Sequence, residues 1–445
     1  MIKNLFKKLE IDHHIAFSLI LRLWSILAGA VLVLIIPHQL TKVQQGYYFT
    51  FSSLLAAQVF FELGLNTVIA QMVGHEMAYL KFNDHNLLEG SPSHLSRIHS
   101  LFKLLRKIYT AMAFLFFVAS FIGGFIFFKR QSLNSDTEWM LVWPFLTFFT
   151  AVNLFNSPFL SALEGMGLVA KISKLRLVQS IVGYLFLWLC LFLNFGLKAM
   201  IGLPAAGALF SSLWIWRNYK NLFFKTRPIR DQDAISWRKE IFPFQWRIAL
   251  SWLSGYFIFQ LFNPIVFSKF GPEAAGQVGL ALTVFATIGA FSFSWVNAKV
   301  PVMTNLIALS KIADLHKLFW NVLVRSSALN FICCVGFIGL VELAKMFRLQ
   351  IGERVPSLEV LILLSIVCFV NNFIFSAASF MRAHKKEPML YNSIFVAIFS
   401  VLGVYIGAQY SVSVIILIYM LITTLIALPW TIFLFKKFYR ESSLT

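Results

Sequence analysis

Five charged side chains within long apolar segments of the sequence, where a charge is costly to place, are candidates for chemistry. They are Arg22, Glu62, Arg247, Arg325 and Glu342. On insertion scales, a charge at the centre of a membrane-spanning helix costs about 2.5–3.5 kcal/mol, so such residues usually face a cavity or a partner. Their positions therefore indicate a role in substrate binding or ion coupling. The helices that carry these side chains must bring them to a cavity or a partner.

The three arginines are predicted to lie at one common depth. At about 1.5 Å per helical residue, Arg22, Arg247 and Arg325 stand about 8–10 Å from the same end of their apolar segments. A guanidinium group binds phosphate or carboxylate in a bidentate geometry and is more weakly hydrated than an ammonium group. We predict that these arginines bind an anionic group of a substrate. The alternative is that they reach back to lipid headgroups.

Glu62 lies deeper in its segment than the arginines do in theirs. Its side chain is too short to reach the membrane surface, and burial disfavours the charged form of a carboxyl group. We predict that Glu62 carries a coupling ion or proton; the alternative is a structural partner for Arg22 on the neighbouring helix. Glu342 is near the outer end of its segment and is predicted to be interfacial.

Four glycines stand where membrane helices would have to bend. Gly46, Gly64, Gly276 and Gly279 are hinge candidates, with close helix packing as the alternative.

Enzyme chemistry finds little support in the residue pattern. The pair Asp231 and Asp233 has a spacing that binds metal–nucleotide-sugars, but its loop of roughly 24 residues is far smaller than a domain of about 50 residues or more. The nine histidines form no metal-ligand pattern with carboxylates, no nucleotide-binding fingerprint is present, and the four cysteines lie in apolar segments. We therefore predict no catalytic residues, no metal and no cofactor.

The composition of the chain indicates that these residues lie on membrane-spanning helices. Of 445 residues, 59% are hydrophobic and 13% are charged, whereas a soluble domain has about half and about a quarter. Twelve apolar segments are long enough for membrane helices. They are 15–36, 46–73, 108–128, 139–163, 177–196, 198–216, 241–267, 274–298, 320–343, 357–381, 389–408 and 412–435.

Most of the 38 lysine and arginine residues fall in the connections on one side of these segments. Because cytoplasmic loops are rich in these residues, both termini are predicted to be cytoplasmic. The formal net charge of +19 is spread over short connections, so we do not predict nucleic-acid binding.

Landmarks recur in order between the two halves of the chain. Pro37 and Gly46 in the first half correspond to Pro264 and Gly276 in the second, at related offsets. Parallel repeats of this kind are common in transporters, with the substrate path between the halves. We predict an N-terminal six-helix lobe over 1–216, a basic cytoplasmic linker over 217–240 and a C-terminal six-helix lobe with a short tail over 241–445.

Several short motifs resemble those of one family. They are Gln45-Gly46-Tyr47-Tyr48-Phe49, Phe61-Glu62-Leu63-Gly64-Leu65, Glu273-Ala274-Ala275-Gly276-Gln277, Leu163-Glu164-Gly165-Met166-Gly167 and the segment 382–388. These are similar to motifs of Wzx-type polysaccharide flippases, in the multidrug/oligosaccharidyl-lipid/polysaccharide exporter superfamily. The resemblance implies an all-α polytopic fold with about 12 transmembrane helices, in two six-helix lobes that form a V around a central cavity.

The resemblance also implies an activity and a location. The substrate would be an undecaprenyl-pyrophosphate-linked oligosaccharide, moved from the cytoplasmic to the periplasmic leaflet of a bacterial inner membrane for O-antigen, capsule or exopolysaccharide synthesis. Partner glycosyltransferases and a polysaccharide polymerase are expected on the same ground. Arg22 and Arg247 match the cavity helices by position, and Arg325 is placed on the ninth helix.

Two other classes remain open at this point. A cation-coupled multidrug exporter of the same superfamily would need an acidic cavity for cationic substrates. A membrane glycosyltransferase or polymerase would need an acidic or metal site on a sizeable loop.

Overall fold

The protein is described by a computed structural model that covers residues 13–83, 86–131, 138–225, 234–384 and 388–444. The described chain is almost entirely helical, and its one sheet is a two-stranded antiparallel ribbon. This confirms the predicted all-α class.

The first part of the chain contains eight α-helices and the ribbon among its described residues. In chain order these elements are α1 (His13–Gln39), α2 (Lys42–Leu55), α3 (Val59–Glu62), α4 (Leu65–Glu76), β1 (Leu80–Phe82), β2 (Leu88–Gly90), α5 (Pro92–Gln131), α6 (Glu138–Gly165), α7 (Val169–Phe192) and α8 (Gly202–Phe223). A 3₁₀ segment, Gly196–Ile201, precedes α8.

The second part contains nine more described α-helices. They are α9 (Phe242–Phe259), α10 (Phe262–Asn297), α11 (Val300–Ala308), α12 (Ile312–Met346), α13 (Gln350–Glu353), α14 (Leu358–Ala383), α15 (Leu390–Gly407), α16 (Val412–Ile422) and α17 (Leu428–Leu444). Short π-helical turns, Trp237–Ile241 and Thr423–Ala427, precede α9 and α17.

The helices pack into two compact units. One unit takes the chain up to Ala28 together with Leu54–Trp252, and the other takes Gly29–Ser53 together with the chain from Leu253 onward. The boundary between the units therefore falls within α1, at Ala28, and α2 belongs to the second unit up to Ser53. The predicted lobes, 1–216 and 241–445, use other boundaries and stay a prediction, and residues 226–233 of the predicted linker lie outside the described residues.

Ten described helical segments are long and apolar enough to cross a membrane, or eleven if the bent pair formed by α2–α4 is one span. One of the ten, Ile248–Ala308, has 61 residues. A straight helix of that size would be about 90 Å long, three times the hydrocarbon thickness of about 30 Å. Gly271 breaks it with φ 85° and ψ 175°. With a crossing on each side of that break, the count agrees with the prediction of about twelve.

Each unit has its own apolar core. In the first unit the helices pack on fully buried side chains such as Leu101, Tyr109 and Phe159. In the second unit the buried side chains of Phe319, Phe380 and Met381 belong to a separate apolar core.

Candidate functional site

The second predicted span is broken next to Glu62, and this break positions the carboxylate. α3 ends at Glu62, and Leu63 and Gly64 follow in the left-handed region with φ 47° and 69°. The helical parts on either side meet at 43°. A Cβ on Gly64 would lie 2.2 Å from Cγ2 of Ile248, so this position requires glycine both for its backbone conformation and for its space.

Glu62 lines a polar cavity of about 220 Å³ in the first unit. We call it the polar cavity, and its lining residues are Gln58, Glu62, Asn66, Asn153, Ser157, Leu160, Ser161, Arg176, Gln179 and Ser211. Most of these side chains carry an amide, a hydroxyl or a charge. The cavity therefore offers hydrogen-bonding groups for a small polar or charged species.

Hydrogen bonds hold the wall of the polar cavity in place. Asn66 Oδ1 accepts from the Tyr109 hydroxyl at 3.1 Å and from Ser157 Oγ at 3.4 Å. Gln179 Nε2 donates to Ser211 Oγ at 2.7 Å. These bonds fix the orientation of the amide groups, because each amide has both donor and acceptor atoms to satisfy.

Of the two charged residues that line the polar cavity, Arg176 has an ion-pair partner among the described residues and Glu62 has none. Arg176 Nη1 pairs with Glu164 Oε1 at 2.8 Å. Within the described part of the chain, Glu62 forms no hydrogen bond or ion pair, and Arg22 is not its partner. Glu62 is thus a half-buried carboxyl group that is available to a proton or a cation. Its role in ion coupling stays a prediction.

A larger cavity of about 650 Å³ lies in the second unit. We call it the neutral cavity, because none of the described residues that line it is an aspartate, glutamate, lysine, arginine or histidine. Its lining residues are Phe49, Ser52, Ser53, Phe259, Gln260, Asn263, Gly279, Leu282, Thr283, Phe285, Ala286, Gly289, Ala290, Phe293, Leu364, Val367, Cys368, Asn371, Asn372, Phe375 and Tyr419.

Aromatic rings and amides alternate around the neutral cavity. The ring centroid of Phe375 lies 6.1 Å from that of Phe259 and 6.2 Å from that of Phe293. Asn263 is buried, and its Oδ1 has no hydrogen-bond partner in the described structure. Because buried polar atoms are nearly always paired in native proteins, this oxygen marks a place where a ligand or water would bind.

Close packing of α2 on α10 forms one wall of the neutral cavity. A Cβ on Gly46 would lie 1.9 Å from the Pro272 carbonyl oxygen, and one on Gly276 would lie 2.9 Å from the Gly46 amide nitrogen. A Cβ on Gly279 would lie 2.4 Å from Cβ of Phe49. At these three hinge candidates the structure shows close packing, the alternative that the sequence left open, and only Gly64 stands at a bend.

Neither Arg22 nor Arg325 lines either cavity. Arg22 is exposed on α1, where Trp24 Nε1 donates to Ser180 Oγ at 3.1 Å on α7. Residues two apart on a helix do not share a face, so Arg22 points away from α7. Arg325 is exposed on α12. Arg247 belongs to α9, but its side chain lies outside the described residues, so substrate binding by the three arginines stays a prediction.

Glu342, the fifth intramembrane charge, is paired. Its Oε1 accepts from Lys345 Nζ at 2.8 Å, one turn further along α12. This ion pair near the end of the helix agrees with an interfacial position.

Sequence reasoning assigned no binding role to the residues of the neutral cavity, although Gly279 was a hinge candidate and Phe49 belonged to a family-like motif. Gln260 and Asn263 are amides within an apolar stretch, and this was the signal that could have found them. The aromatic members gave no such signal, because phenylalanine is abundant on lipid-facing surfaces as well.

A charged cluster joins three elements of the first unit outside the apolar spans. Arg97 Nε donates to Glu76 Oε1 at 2.9 Å, and Arg97 Nη2 donates to Glu240 Oε2 at 2.5 Å. His94 Nδ1 lies 2.6 Å from the other oxygen of Glu76. Burial opposes ionisation of Glu240, but the Ser236 backbone N–H and Arg97 favour the carboxylate, and together they lower the pKa of Glu240. The cluster thus ties the chain before α9 to α4 and α5.

Comparison with known proteins shows similarity of fold without similarity of sequence. No family model matches the chain, and no curated protein matches it. Among solved structures, an inward-facing multidrug resistance MATE family transporter of the MOP superfamily aligns over 95% of this chain and 96% of its own, with 12% identity and a TM-score of 0.60.

Two further structures extend the comparison. The lipid II flippase MurJ, in an inward closed conformation, aligns over 97% of this chain and 90% of its own, with 13% identity and a TM-score of 0.61. A eukaryotic MATE transporter aligns over 97% and 99%, with 14% identity and a TM-score of 0.54. The chain therefore has the fold of the transporters of the MOP superfamily.

Proposed function

We propose that this protein is a membrane transporter that moves undecaprenyl-pyrophosphate-linked oligosaccharide from the cytoplasmic to the periplasmic leaflet of a bacterial inner membrane. The fold supports transport, since the chain aligns along nearly its whole length with MATE transporters and with a lipid II flippase. The product would feed surface polysaccharide synthesis, with glycosyltransferases and a polymerase as partners.

The observation that carries the substrate class is the lining of the neutral cavity. Its volume of about 650 Å³ falls within the range of small-molecule sites, about 300–1,000 Å³. Sugars have no net charge, present hydroxyl groups to amides and hydroxyls, and present C–H faces to aromatic rings. Asn263 supplies an unpaired acceptor oxygen, and Phe259, Phe293 and Phe375 supply the rings.

The charged residues complete this proposal. Arg22, which is exposed on α1, and Arg247 would bind the pyrophosphate, because a guanidinium group pairs with phosphate in a bidentate geometry. Glu62 would carry the coupling ion in the polar cavity. Gly64 would absorb the backbone rotation as the spans move.

The alternative is a cation-coupled multidrug exporter with the same fold. The unpaired Glu62 and the likeness to MATE transporters favour it. A cationic drug in the neutral cavity would meet no carboxylate among the described lining residues, which favours the oligosaccharide instead.

Complementation of a flippase-null strain tests the proposal. We expect the wild-type gene to restore surface polysaccharide, and Arg22→Ala and Arg247→Ala each to lower it at normal protein level. Equal complementation by the alanine, lysine and wild-type forms would show that the arginines do not bind substrate. Protection against cationic dyes, without restored polysaccharide, would establish the drug exporter in place of the flippase.

A further inference from the structure

An apolar groove lies on the surface of the second unit, and none of its lining residues lines either cavity. We propose that an anionic phospholipid binds there, on the side predicted to be cytoplasmic, with a hydrocarbon chain in the groove between α12, α14 and α17. Its phosphate would be held by Arg325 and Lys436. This proposal does not depend on the substrate of the transporter.

The groove is deep and almost wholly apolar. Its volume is about 600 Å³. Among its lining residues are Val324, Ala328 and Phe331 of α12, Phe369 and Phe373 of α14 and Ile432 of α17. Val324 and Phe331 are more than half exposed, so the groove is open along its length. A hydrocarbon chain fits such a surface, because it removes apolar side chains from water or replaces disordered lipid.

Two cations stand at one end of the groove, on different helices. Arg325 is exposed and directly follows Val324, about 100° around α12 from it, so its long side chain would reach along the edge of the groove. On α17, Leu428, Ile432 and Lys436 are spaced by four residues and share one helix face, so Lys436 lies about 6 Å beyond the groove. Lys436 is exposed as well, and neither cation has an ion-pair partner among the described residues.

An aromatic contact marks the level of the membrane surface at this end. Trp320 stands one turn before Val324 on the same face of α12, and its ring centroid lies 6.3 Å from that of Phe435. Tryptophan is enriched at the headgroup level of membrane proteins. The groove therefore extends from the headgroup level into the hydrocarbon of the predicted inner leaflet.

Charge complementarity selects the occupant. An arginine inside a span is costly unless it meets an anion or reaches the interface, and a lipid phosphate supplies that anion in a bidentate geometry. Basic pockets between membrane helices on the cytoplasmic side bind anionic headgroups in this way. A zwitterionic lipid would place a cation of its own beside Arg325 and Lys436.

Native mass spectrometry of the full-length protein in detergent, titrated with phosphatidylglycerol, tests the site. We expect wild type to retain phosphatidylglycerol in preference to phosphatidylcholine. The double variant R325Q/K436Q should weaken retention about tenfold. The control double variant K269Q/K299Q removes two exposed lysines that do not line the groove and changes net charge equally, so it should retain lipid as wild type does.

Two further variants keep the test decisive if the double variant folds poorly. Arg325→Lys keeps the charge and should retain most of the lipid, whereas Ala328→Trp fills the groove and should lose it. Equal retention by R325Q/K436Q and the control, or equal binding of phosphatidylcholine, would overturn the proposal. So would displacement of phosphatidylglycerol by a stoichiometric amount of polyprenyl phosphate, because the groove would then belong to the transport substrate.

Discussion

The polar cavity of the first unit and the neutral cavity of the second unit differ in size and in chemistry. The polar cavity has about 220 Å³ and contains Glu62 and Arg176, whereas the neutral cavity has about 650 Å³ and has neither acid nor base among its described lining residues. The first is suited to a proton or a small cation, and the second to a larger uncharged group. Coupling and substrate recognition would thus occupy separate units of one chain.

The two cavities also differ in how their helices are shaped. The polar cavity depends on a bend, where Leu63 and Gly64 interrupt the helix. The neutral cavity depends on close contact, where Gly46, Gly276 and Gly279 allow α2 to approach α10. The bend therefore offers a place for motion, while the close contact favours a fixed wall.

The largest expected effect comes from the only carboxylate of the polar cavity among its described lining residues. Glu62→Gln removes the charge at nearly constant size, so ion-driven transport should fall to the passive level while binding of the oligosaccharide stays unchanged. Transport under an imposed ion gradient, compared with equilibrium binding, measures the two separately. Glu89→Gln, an exposed change on β2, is the matched control. A parallel loss of binding in Glu62→Gln would contradict the division of roles.

A change at the bend should affect stability. Gly64→Ala places a Cβ 2.2 Å from Ile248 in a backbone conformation that alanine rarely adopts. Strain of this kind costs about 1–3 kcal/mol, so the Tm in detergent should fall. Gly123→Ala, at a helical glycine with open space around it, should change the Tm little. An unchanged Tm in Gly64→Ala would mean that the bend relaxes without cost.

A substitution of Asn263 tests whether the neutral cavity binds the substrate. Asn263→Leu removes the free acceptor oxygen, and loss of a hydrogen bond to a ligand of about 1.4 kcal/mol corresponds to a tenfold rise in Kd. Equilibrium binding of the lipid-linked oligosaccharide measures it, with Asn305→Leu on the exposed face of α11 as the control. The ion dependence of transport should stay as in wild type. Unchanged Kd would remove Asn263 from the site.

The smallest effect is expected at the charged cluster outside the spans. Glu240→Gln breaks its pair with Arg97 and should cost less than about 1 kcal/mol, since solvent screens a partly exposed ion pair. The folded state lowers the pKa of Glu240, so its stabilisation is present above the pKa of an unfolded glutamate, about 4.3, and is lost as the pH falls through the folded value. Unfolding followed from pH 7 to pH 3 measures this, and the variant should show a flatter pH dependence than wild type.

The sequence predicted the elements better than the cavities. Apolar length alone indicates the spans, and the pair Gly271-Pro272 marks the break between the predicted segments 241–267 and 274–298. Gly64 was a hinge candidate from the sequence, but the left-handed conformation of Leu63 beside it was not predictable, because a leucine in this conformation has no local sequence signal. Glu62 was predictable as a candidate because a charged residue inside a span is unfavourable. The cavity that it lines is visible only in the structure.

The neutral cavity could not be predicted because its residues come from distant parts of the chain. Phe49, Asn263, Phe375 and Tyr419 belong to four different helices and meet only after folding. The free energy of a phenylalanine side chain is similar in lipid and against an apolar cavity wall. Hydropathy therefore does not distinguish lipid-facing phenylalanines from cavity-lining ones. For Arg325 the sequence alone predicts a depth within the span, whereas the apolar groove beside this exposed residue is visible only in the structure.

Reconstituted transport tests the central claim most directly. Purified protein in liposomes, with a defined undecaprenyl-pyrophosphate oligosaccharide in one leaflet, should move the glycan to the opposite leaflet, and Asn263→Leu should reduce this while Asn305→Leu should not. A sugar-degrading enzyme added to one side reports which leaflet holds the glycan. If wild type leaves the glycan in its original leaflet while it exports a cationic dye from the same liposomes, the proposed function is contradicted.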